Sequence, residues 1–301
     1  MNILVTGGAG FIGKHLVRSL LEKGYAVTIF DNFSNSTKDS TLSLVEMGIK
    51  IIEGDITKYL EITNAVKDHE IVIHLAAKIS VSESISSPLE TYGVNVNGTR
   101  NVLTACKKNN IKKLIVASSA AVYGEGTPNV KLTENLETNP ISPYGESKVE
   151  MEQEIREFAL KYDINYVILR FFNIYGVGQS DEYAGVITKF IEKIRQGKSL
   201  EIFGDGTQTR DFVAVEDVIN SIHNSTSQNK SGIYNIASGK TITIKDLAEK
   251  IILLSGKKLE IQYTTAKKGD IMHSQADISL AKKEIEYFPK FGLDRIKQLL
   301  E

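Results

Sequence analysis

A tyrosine and a lysine four residues apart, Tyr144 and Lys148, have the types and spacing best suited to acid–base chemistry in this chain. The pattern over 143–162 predicts a helix, which would place both side chains on one face. A cation beside a phenol stabilises the phenolate and lowers its pKa from about 10, so Tyr144 is a candidate base near neutral pH. A second Tyr-x-x-x-Lys begins at Tyr263, but 259–265 is predicted to be a strand, where residues four apart lie about 13 Å from each other.

Two serines, Ser118 and Ser119, are placed to hydrogen-bond a substrate oxygen. They close the predicted strand 113–118 and so lie at the C-terminal edge of a parallel sheet, where ligands of open α/β sheets bind. Without a cofactor nearby, a polar turn is the better explanation of these serines. Their role in chemistry therefore depends on a cofactor at the same edge.

The first predicted strand leads directly into a glycine-rich loop, and a helical pattern begins at once. Gly8, Gly10 and Gly13 form G-x-G-x-x-G, which permits a tight turn and lets the backbone and a helix N-terminus approach a pyrophosphate. The second strand ends at residue 30 with Asp31 next, at the spacing of the dinucleotide fingerprint. An acidic side chain there accepts hydrogen bonds from ribose hydroxyls and repels a 2′-phosphate, so the pattern predicts NAD rather than NADP.

Short β-rich runs alternate with longer amphipathic runs over residues 1–170. Strands are predicted at 2–6, 26–30, 50–53, 71–75, 113–118 and 165–170, and helices at 11–22, 88–108 and 143–162. Such a βαβα order with apolar strands is typical of the α/β class, and it predicts a doubly wound parallel-sheet Rossmann domain for NAD. Residues 171–301 show shorter helical patterns, at 185–195, 215–225, 244–254 and 293–300, and predict a smaller mixed α/β substrate lobe from which some segments return to the first domain.

Composition limits the class of protein. The chain has 301 residues, 42% hydrophobic and 24% charged, which favours a packed protein of two domains, or of one large domain with an added lobe, over a disordered or fibrous one. A formal net charge of -1 leaves no basic excess for nucleic acid. The single cysteine, Cys106, excludes an intrachain disulfide, and no apolar run has the length of a membrane span or the form of a signal peptide, so a cytoplasmic location is expected. The five histidines lack metal-ligand spacing, so no metal site is predicted.

A series of motifs, taken in chain order, resembles the extended short-chain dehydrogenase/reductase superfamily and, more narrowly, the UDP-glucose 4-epimerases and close nucleotide-sugar epimerases. These motifs are 6–13, 31–32, 54–56, 74–77, 95–99, 118–120, 144–148, 170–176 and 209–213. The resemblance runs from about residue 2 to about residue 280. It implies an enzyme that keeps NAD bound, epimerises the sugar C4 through a transient 4-keto sugar, and pairs as a homodimer through helices matching 88–108 and 143–162.

The resemblance also implies a role for individual residues. Tyr144 would be the base, Lys148 would hold the nicotinamide ribose, and Ser119 would hydrogen-bond the reacting oxygen. The implied cofactor residues are Gly7, Gly10, Phe11, Ile12, Gly13, Asp31, Asn32, Asn35, Ser36, Asp55, Ile56, Leu75, Ala76, Ala77, Tyr144, Lys148 and Phe172. The implied substrate residues are Ser119, Tyr144, Asn173, Arg210, Lys267, Asp270 and Ser274.

Two stretches bear on the reaction. Residues 119–121 read Ser-Ala-Ala where related dehydratases carry Thr-Asp-Glu or Thr-Ser-Glu, and the missing carboxylic acid disfavours dehydration. Residues 267–270 read Lys-Lys-Gly-Asp in place of the usual Arg-Pro-Gly-Asp. Either Lys267 or Lys268 would then contact the diphosphate, without the planar fork of an arginine. A further lysine of longer epimerases has no clean match, since its position falls on Ile79 with Lys78 one residue early.

The identity of the sugar rests on one position. Ser274 stands where related epimerases place a residue near the sugar C2 substituent, and a small hydroxyl residue there predicts that UDP-N-acetylglucosamine and UDP-N-acetylgalactosamine are accepted alongside the plain hexoses. Two alternatives to a UDP-hexose 4-epimerase stay open. One is another nucleotide-sugar enzyme, such as a UDP-glucuronate 4-epimerase or a reductase, and the other is a dinucleotide-binding regulator without catalysis.

Overall fold

The structure is a computed structural model that describes residues 1–179, 185–266 and 270–301. Its strands are β1 (Asn2–Thr6), β2 (Ala26–Asp31), β3 (Lys50–Glu53), β4 (Ile71–His74), β5 (Lys113–Ser119), β6 (Asn165–Phe171), β7 (Asn173–Tyr175), β8 (Leu200–Phe203), β9 (Thr209–Ala214), β10 (Gly232–Ile236), β11 (Thr241–Thr243) and β12 (Ile261–Thr264). Its α-helices are α1 (Phe11–Glu22), α2 (Leu42–Glu46), α3 (Tyr59–Ala65), α4 (Val81–Ser86), α5 (Pro88–Tyr92), α6 (Thr99–Lys108), α7 (Pro143–Tyr162), α8 (Val186–Arg195), α9 (Val215–Ser227), α10 (Ile244–Ser255), α11 (Ser279–Ile285) and α12 (Lys297–Leu300).

The main sheet of the described chain has seven parallel strands in the order β10-β6-β5-β4-β1-β2-β3. The chain moves outward from β1 to β3 and then returns to β4 on the other side of β1. This reversal opens a crevice at the C-terminal ends of β1 and β4, the usual ligand position in such sheets. The predicted doubly wound Rossmann fold is confirmed, and all six predicted strands agree with the structure to within one residue.

Both faces of the main sheet are buried, which explains why its strands are apolar almost throughout. On β1, Ile3 and Val5 join an apolar cluster that includes residues of α1 and α9. Leu4, between them, joins a second cluster with residues of α3, α6 and α7. The alternation of strand side chains thus fixes helices on either face of the sheet.

The second half of the chain forms smaller sheets beside the main one. Strands β11, β9 and β7 make a mixed sheet, and β12 pairs with β8. Strand β10 lies in the main sheet, paired with β6, although it follows residue 171. The smaller mixed lobe is therefore confirmed as part of the fold, and the domain division at residues 170 and 171 stays a prediction. None of the helices in the described ranges is long and apolar enough to cross a membrane.

The predicted helix over 88–108 is confirmed as one run of helical backbone, in which a π-helix at Gly93–Gly98 joins α5 to α6. Tertiary contacts of Asn95 lie within this π-helical stretch. The Asn95 side chain accepts a hydrogen bond from Lys78 N at 2.8 Å and donates to Lys78 O at 3.0 Å, and it also donates to Ser147 Oγ. The predicted helix at 293–300 likewise begins as a 3-10 helix before α12.

Candidate active site

A cavity of about 440 Å³ follows the C-terminal ends of β1, β2, β4 and β5. It is lined by every residue of the predicted cofactor set, namely Gly7, Gly10, Phe11, Ile12, Gly13, Asp31, Asn32, Asn35, Ser36, Asp55, Ile56, Leu75, Ala76, Ala77, Tyr144, Lys148 and Phe172, and by the predicted catalytic Ser119. Residues predicted from seven separate motifs therefore meet in one place, at the edge that the strand order indicates for ligands.

The glycine loop packs so closely that side chains are excluded from two of its positions. Gly7 has a φ of +70°, and a Cβ there would lie 2.6 Å from Ala76 N. At Gly13, a Cβ would lie 2.4 Å from Gly7 O. The main-chain N–H of Gly7 donates to Phe30 O at 2.9 Å, which ties the loop to β2. Strand and helix are thus held close together, and the N-terminus of α1 faces the cavity.

Asp31 is bonded to the same loop. Its Oδ2 accepts from Ala9 N at 2.9 Å and its Oδ1 from Phe33 N at 2.8 Å. Burial raises the pKa of Asp31, although these two hydrogen bonds favour the carboxylate. Each oxygen keeps a further lone pair for a ribose hydroxyl. The structure therefore gives Asp31 a second role that the motif did not predict, since it also fixes the glycine loop.

Two residues at the far end of the cavity test whether a dinucleotide would fit. Burial raises the pKa of Asp55, but hydrogen bonds from Thr57 and Asn32 outweigh it, and the net shift is downward. Within the described chain, the buried hydroxyl of Ser36 has no hydrogen-bond partner. An orphaned hydroxyl and an ionised carboxylate on a cavity wall are suited to the hydroxyls and amines of an adenosine. The residues present therefore fit NAD.

Tyr144 lines the cavity together with the other predicted catalytic residues, Ser119 and Lys148. Ser142 caps α7 by accepting from Gly145 N at 3.2 Å, which fixes the first turn and the Tyr144 side chain on it. Tyr144 is 9% exposed and hydrogen-bonds Ser119. Burial raises the pKa of Tyr144, and the hydrogen bond with Ser119 lowers it by less, so the net shift is upward. This direction is opposite to the predicted depression of the Tyr144 pKa.

The position of Lys148 explains the difference. Its Nζ lies 6.0 Å from the centroid of the Tyr144 ring and donates to Ala117 O at 2.9 Å. Burial lowers the pKa of Lys148 to about 8, while the Glu152 carboxylate acts in the opposite direction. The ammonium therefore lines the cavity as a buried cation that is still largely charged at neutral pH, without a direct bond to the phenol.

A second cluster adjoins this cavity and contains three of the predicted substrate residues, Asn173, Arg210 and Asp270. Arg210 Nη2 lies 2.6 Å from Asp270 Oδ1, and Asn173 Nδ2 donates to Asp211 O, next to Arg210 in β9. Burial lowers the pKa of Arg210 even with Asp270 beside it. Asn173 lies between Phe172 and Ile174 in the sequence, and both of these residues line the cavity, so this cluster adjoins the cavity.

The remaining predicted substrate residues differ in what the structure says of them. Ser274 is 7% exposed and lies outside the cavity lining, in the segment whose Met272 and His273 main-chain N–H groups donate to Glu125 at 2.9 Å. Lys267, with Lys268, lies outside the described residues. Glu125 was not predicted from the sequence, and only its place shortly after the strand-end serines pointed to it.

Other cavity residues were also missed. Lys78 and Ile79 both line the cavity, and Lys78 Nζ lies 2.9 Å from Glu90 Oε1. Lys78, which stands one residue before the position of the further lysine of longer epimerases and was given no role from the sequence, therefore lies on the cavity wall together with Ile79. Gln179, from the start of the smaller lobe, also lines the cavity, and no local motif in the sequence identifies it.

The chain is similar in sequence to known proteins over most of its length. Residues 3–237 match the model of the NAD dependent epimerase/dehydratase family. The chain belongs to this family. It is therefore an NAD-dependent enzyme, and the predicted resemblance is confirmed. A relative from Bacillus subtilis, a UDP-glucose 4-epimerase, is 30% identical over 98% of this chain and 94% of its own length.

Solved structures of similar proteins share the whole fold. A UDP-N-acetylglucosamine 4-epimerase from Methanobrevibacter ruminantium, in complex with UDP-N-acetylmuramic acid, is 38% identical, with a TM-score of 0.93 over 99% of this chain and 95% of that one. A UDP-glucose 4-epimerase from Thermotoga maritima with UDP-glucose is 34% identical, with a TM-score of 0.94 over 100% of this chain and 97% of that one. One from Thermus thermophilus in complex with NAD is 30% identical, with a TM-score of 0.92 over 100% and 97%.

Proposed function

We propose that this protein catalyses the NAD-dependent 4-epimerisation of a UDP-hexose through a transient 4-keto sugar. The observation that supports this most directly is the meeting of Tyr144, Ser119 and Lys148 in the cavity that the glycine loop and Asp31 line. Similarity to UDP-glucose 4-epimerases over the whole chain supports the same reaction. A regulator without catalysis would need the glycines and Asp31 alone.

In this reaction Tyr144 takes the proton of the sugar 4-hydroxyl and returns it to the 4-keto oxygen. The hydrogen bond from Ser119 favours the phenolate, and its hydroxyl is placed to hold the reacting oxygen. NAD, which the glycine loop and Asp31 would hold, would supply the hydride chemistry at C4. Lys148 contributes a buried positive charge that favours the phenolate, and its fixed bond to Ala117 O holds that charge in place.

The nucleotide sugar would extend from the cavity to the cluster of Asn173, Arg210 and Asp270. An arginine guanidinium forms forked hydrogen bonds with a diphosphate, and an aspartate accepts from ribose hydroxyls. Binding would then exchange the 2.6 Å contact between Arg210 and Asp270 for contacts with the ligand. Lys267, which is part of the predicted substrate set, would add a cation to the diphosphate.

Turnover without added cofactor tests the proposed function. Purified protein is incubated with UDP-galactose and no added NAD, and UDP-glucose is measured by chromatography; bound NAD is measured after denaturation. We expect conversion and about one NAD per chain, since the family's reaction returns the cofactor to its starting state. Protein that contains NAD and converts no member of a panel of UDP-sugars would instead be a regulator. Conversion of UDP-glucuronate alone would favour the alternative 4-epimerase.

The sugar substituent at C2 is tested at Ser274. Similarity to the Methanobrevibacter ruminantium UDP-N-acetylglucosamine 4-epimerase supports acceptance of N-acetylated sugars, as does the small side chain at this position. The ratio of kcat/KM for acetylated and plain UDP-hexoses is measured in the wild type and in Ser274→Tyr. We expect the wild type to convert both and the variant to lose the acetylated pair selectively. An unchanged ratio would show that Ser274 does not control entry.

A further inference from the structure

A buried ion pair lies directly behind the catalytic residues. Arg170 Nη2 contacts Glu152 Oε2 at 2.7 Å, and the two side chains are 4% and 5% exposed. Arg170 Nε also donates to Glu152 Oε1 at 3.0 Å, which makes the contact bidentate. Forked geometry is what a buried ion pair needs to offset the loss of hydration.

Ser118 and Tyr123 form further hydrogen bonds with the two side chains of this ion pair. Ser118 Oγ donates to Glu152 Oε1 at 2.5 Å, so the residue before Ser119 is bonded to the same carboxylate. On the other side, Arg170 Nη1 donates to the Tyr123 hydroxyl at 2.9 Å. The pair is thus fixed to β5, β6 and the loop after β5, and its charges have little freedom to move.

Glu152 and Lys148 stand four residues apart on α7, so their side chains lie on one face of the helix. Lys148 forms no ion pair within the described chain, and its Nζ contacts Ala117 O at 2.9 Å and Met151 Sδ at 3.8 Å. Neither of these partners bears a charge. Glu152 is therefore the carboxylate whose field reaches the buried ammonium along the helix face.

We infer that Glu152 is a positioning residue for catalysis, which holds the Lys148 ammonium charged beside Tyr144 and, through Ser118, fixes the strand end that presents Ser119. Arg170 holds the carboxylate in the orientation this requires. The inference goes beyond the proposed function, because neither the fingerprint nor the Tyr-x-x-x-Lys spacing assigns a role to Glu152.

The charged and titratable groups around Lys148 come from several elements. On α7 they are Tyr144 and Glu152, and on β4 His74. Arg170 on β6 is paired with Glu152, and Tyr123 and Glu134, in the segment after β5, face Arg170. Burial lowers the pKa of His74 to about 3, so the imidazole is neutral, and burial raises the pKa of Tyr123 to about 12, so the phenol is neutral too. Burial also raises the pKa of Glu134, which bonds Asn235 on the far side of Arg170. The Glu152 carboxylate is therefore the group that raises the pKa of Lys148, against the burial that lowers it.

The test removes the charge and keeps the shape. In Glu152→Gln the amide oxygen can still accept from Arg170 and Ser118, and the pKa of Lys148 is followed by NMR through its Cε resonance in NAD-loaded protein labelled with 13C-lysine, assigned with Lys148→Met. We expect this pKa to fall by about one pH unit, from Coulomb's law at a helical-turn separation. In the same variant the alkaline limb of kcat should move to lower pH by a similar amount.

The control removes an equally buried carboxylate elsewhere. Asp217 is 1% exposed and accepts from Lys290 N and Phe291 N, so Asp217→Asn repeats the loss of a buried charge away from the cavity. It should leave the titration of Lys148 unchanged. If Glu152→Gln does not fold because Arg170 is left uncompensated, the double variant Glu152→Gln/Arg170→Met takes its place, with a smaller downward shift expected, because the loss of the Arg170 cation itself favours protonation of Lys148.

The lysine titration needs no turnover, so its result is independent of the proposed reaction, on which only the kcat arm rests. A folded variant lacking the Glu152 charge in which Lys148 titrates as in the wild type would overturn the inference. So would an equal shift in Asp217→Asn. Loss of stability with an unchanged pKa would show that Glu152 supports only the fold.

Discussion

His74 provides a quantitative prediction about acid stability. It is 2% exposed at the end of β4, where Nδ1 lies 2.7 Å from Thr6 Oγ1 and Nε2 lies 3.0 Å from Thr99 Oγ1. Because the Thr99 hydroxyl gives its proton to Asn95 O at 2.6 Å, it accepts from Nε2–H, and Nδ1 accepts from Thr6. Both ring nitrogens are satisfied in the neutral form. Burial, and then the charge of Lys148, lower the pKa of His74 to about 3.

The sign of the effect follows from linkage. Below its ordinary pKa of 6.5, the imidazole takes up a proton in the unfolded chain that the folded protein refuses, so the free energy of unfolding falls as pH decreases. From about pH 7.5 to about pH 4.5 the loss is about 2.7 kcal/mol, because the slope approaches about 1.4 kcal/mol per pH unit below pH 6.5. Asp211 acts oppositely, because burial raises its pKa to about 6 and it takes up a proton in the folded state first. Over the same interval the protonation of Asp211 raises the free energy of unfolding by about 2 kcal/mol.

Since these two contributions oppose each other in the wild type, the test compares variants. Urea unfolding of the wild type and His74→Gln is measured from about pH 7.5 to about pH 4.5, with the same excess of NAD in every sample. The variant should be less stable at neutral pH, and the gap should narrow by about 2.7 kcal/mol on acidification. His223→Gln serves as the control, because His223 is only partly buried. A gap for His74→Gln that stays constant with pH would show that the folded imidazole takes up its proton, and would refute the reasoning.

Three further outcomes follow from the site and from the exposed surface. Tyr144→Phe should keep NAD bound and lower kcat on UDP-galactose about 10²- to 10⁴-fold, and Ser119→Ala should lower it less; near wild-type turnover in Tyr144→Phe would remove the tyrosine from the mechanism. Asp31→Ala should weaken NAD binding and reduce the preference over NADP, measured as a ratio of Kd by calorimetry, and an unchanged ratio would show that Asp31 does not contact the ribose. Leu89 and Leu160, each 88% exposed, lie on the two helices expected to form a homodimer, so sedimentation should give a dimer at micromolar concentration, and a monomer would contradict that expectation.

Much of the site could be predicted because its residues stand at strand ends. The period of the apolar pattern fixes where β1 and β5 end, and parallel strands bring those ends to one edge. Gly7 directly follows β1, and Asp31 and Ser119 are the last residues of β2 and β5, so predicting the strands also located these residues. Tyr144 was predicted from its helix, whose Ser-Pro start is a local signal of an N-terminus.

The features that were missed depend on contacts distant in sequence. No local pattern indicates that Asn95 hydrogen-bonds the main chain of Lys78 from a π-helical stretch, nor that Arg170 faces Glu152 from a neighbouring strand. The pKa of Tyr144 was predicted in the wrong direction for the same reason. Helical spacing brings Lys148 to the same face, whereas the direction of its Nζ depends on Ala117 O, which belongs to β5.

The two arginine–carboxylate pairs near the site differ in how far they are exposed to solvent. The pair of Arg210 and Asp270 has side chains 13% and 34% exposed, and an ion pair with such access to water contributes at most about 1 kcal/mol. A diphosphate that formed forked hydrogen bonds with Arg210 would therefore displace Asp270 at small cost. The pair of Arg170 and Glu152 is almost fully buried, and removing either partner costs about 3–5 kcal/mol, so no ligand would separate it. The first pair is thus suited to exchange partners during substrate binding, while the second is suited to keep a fixed field beside Lys148 through every turnover.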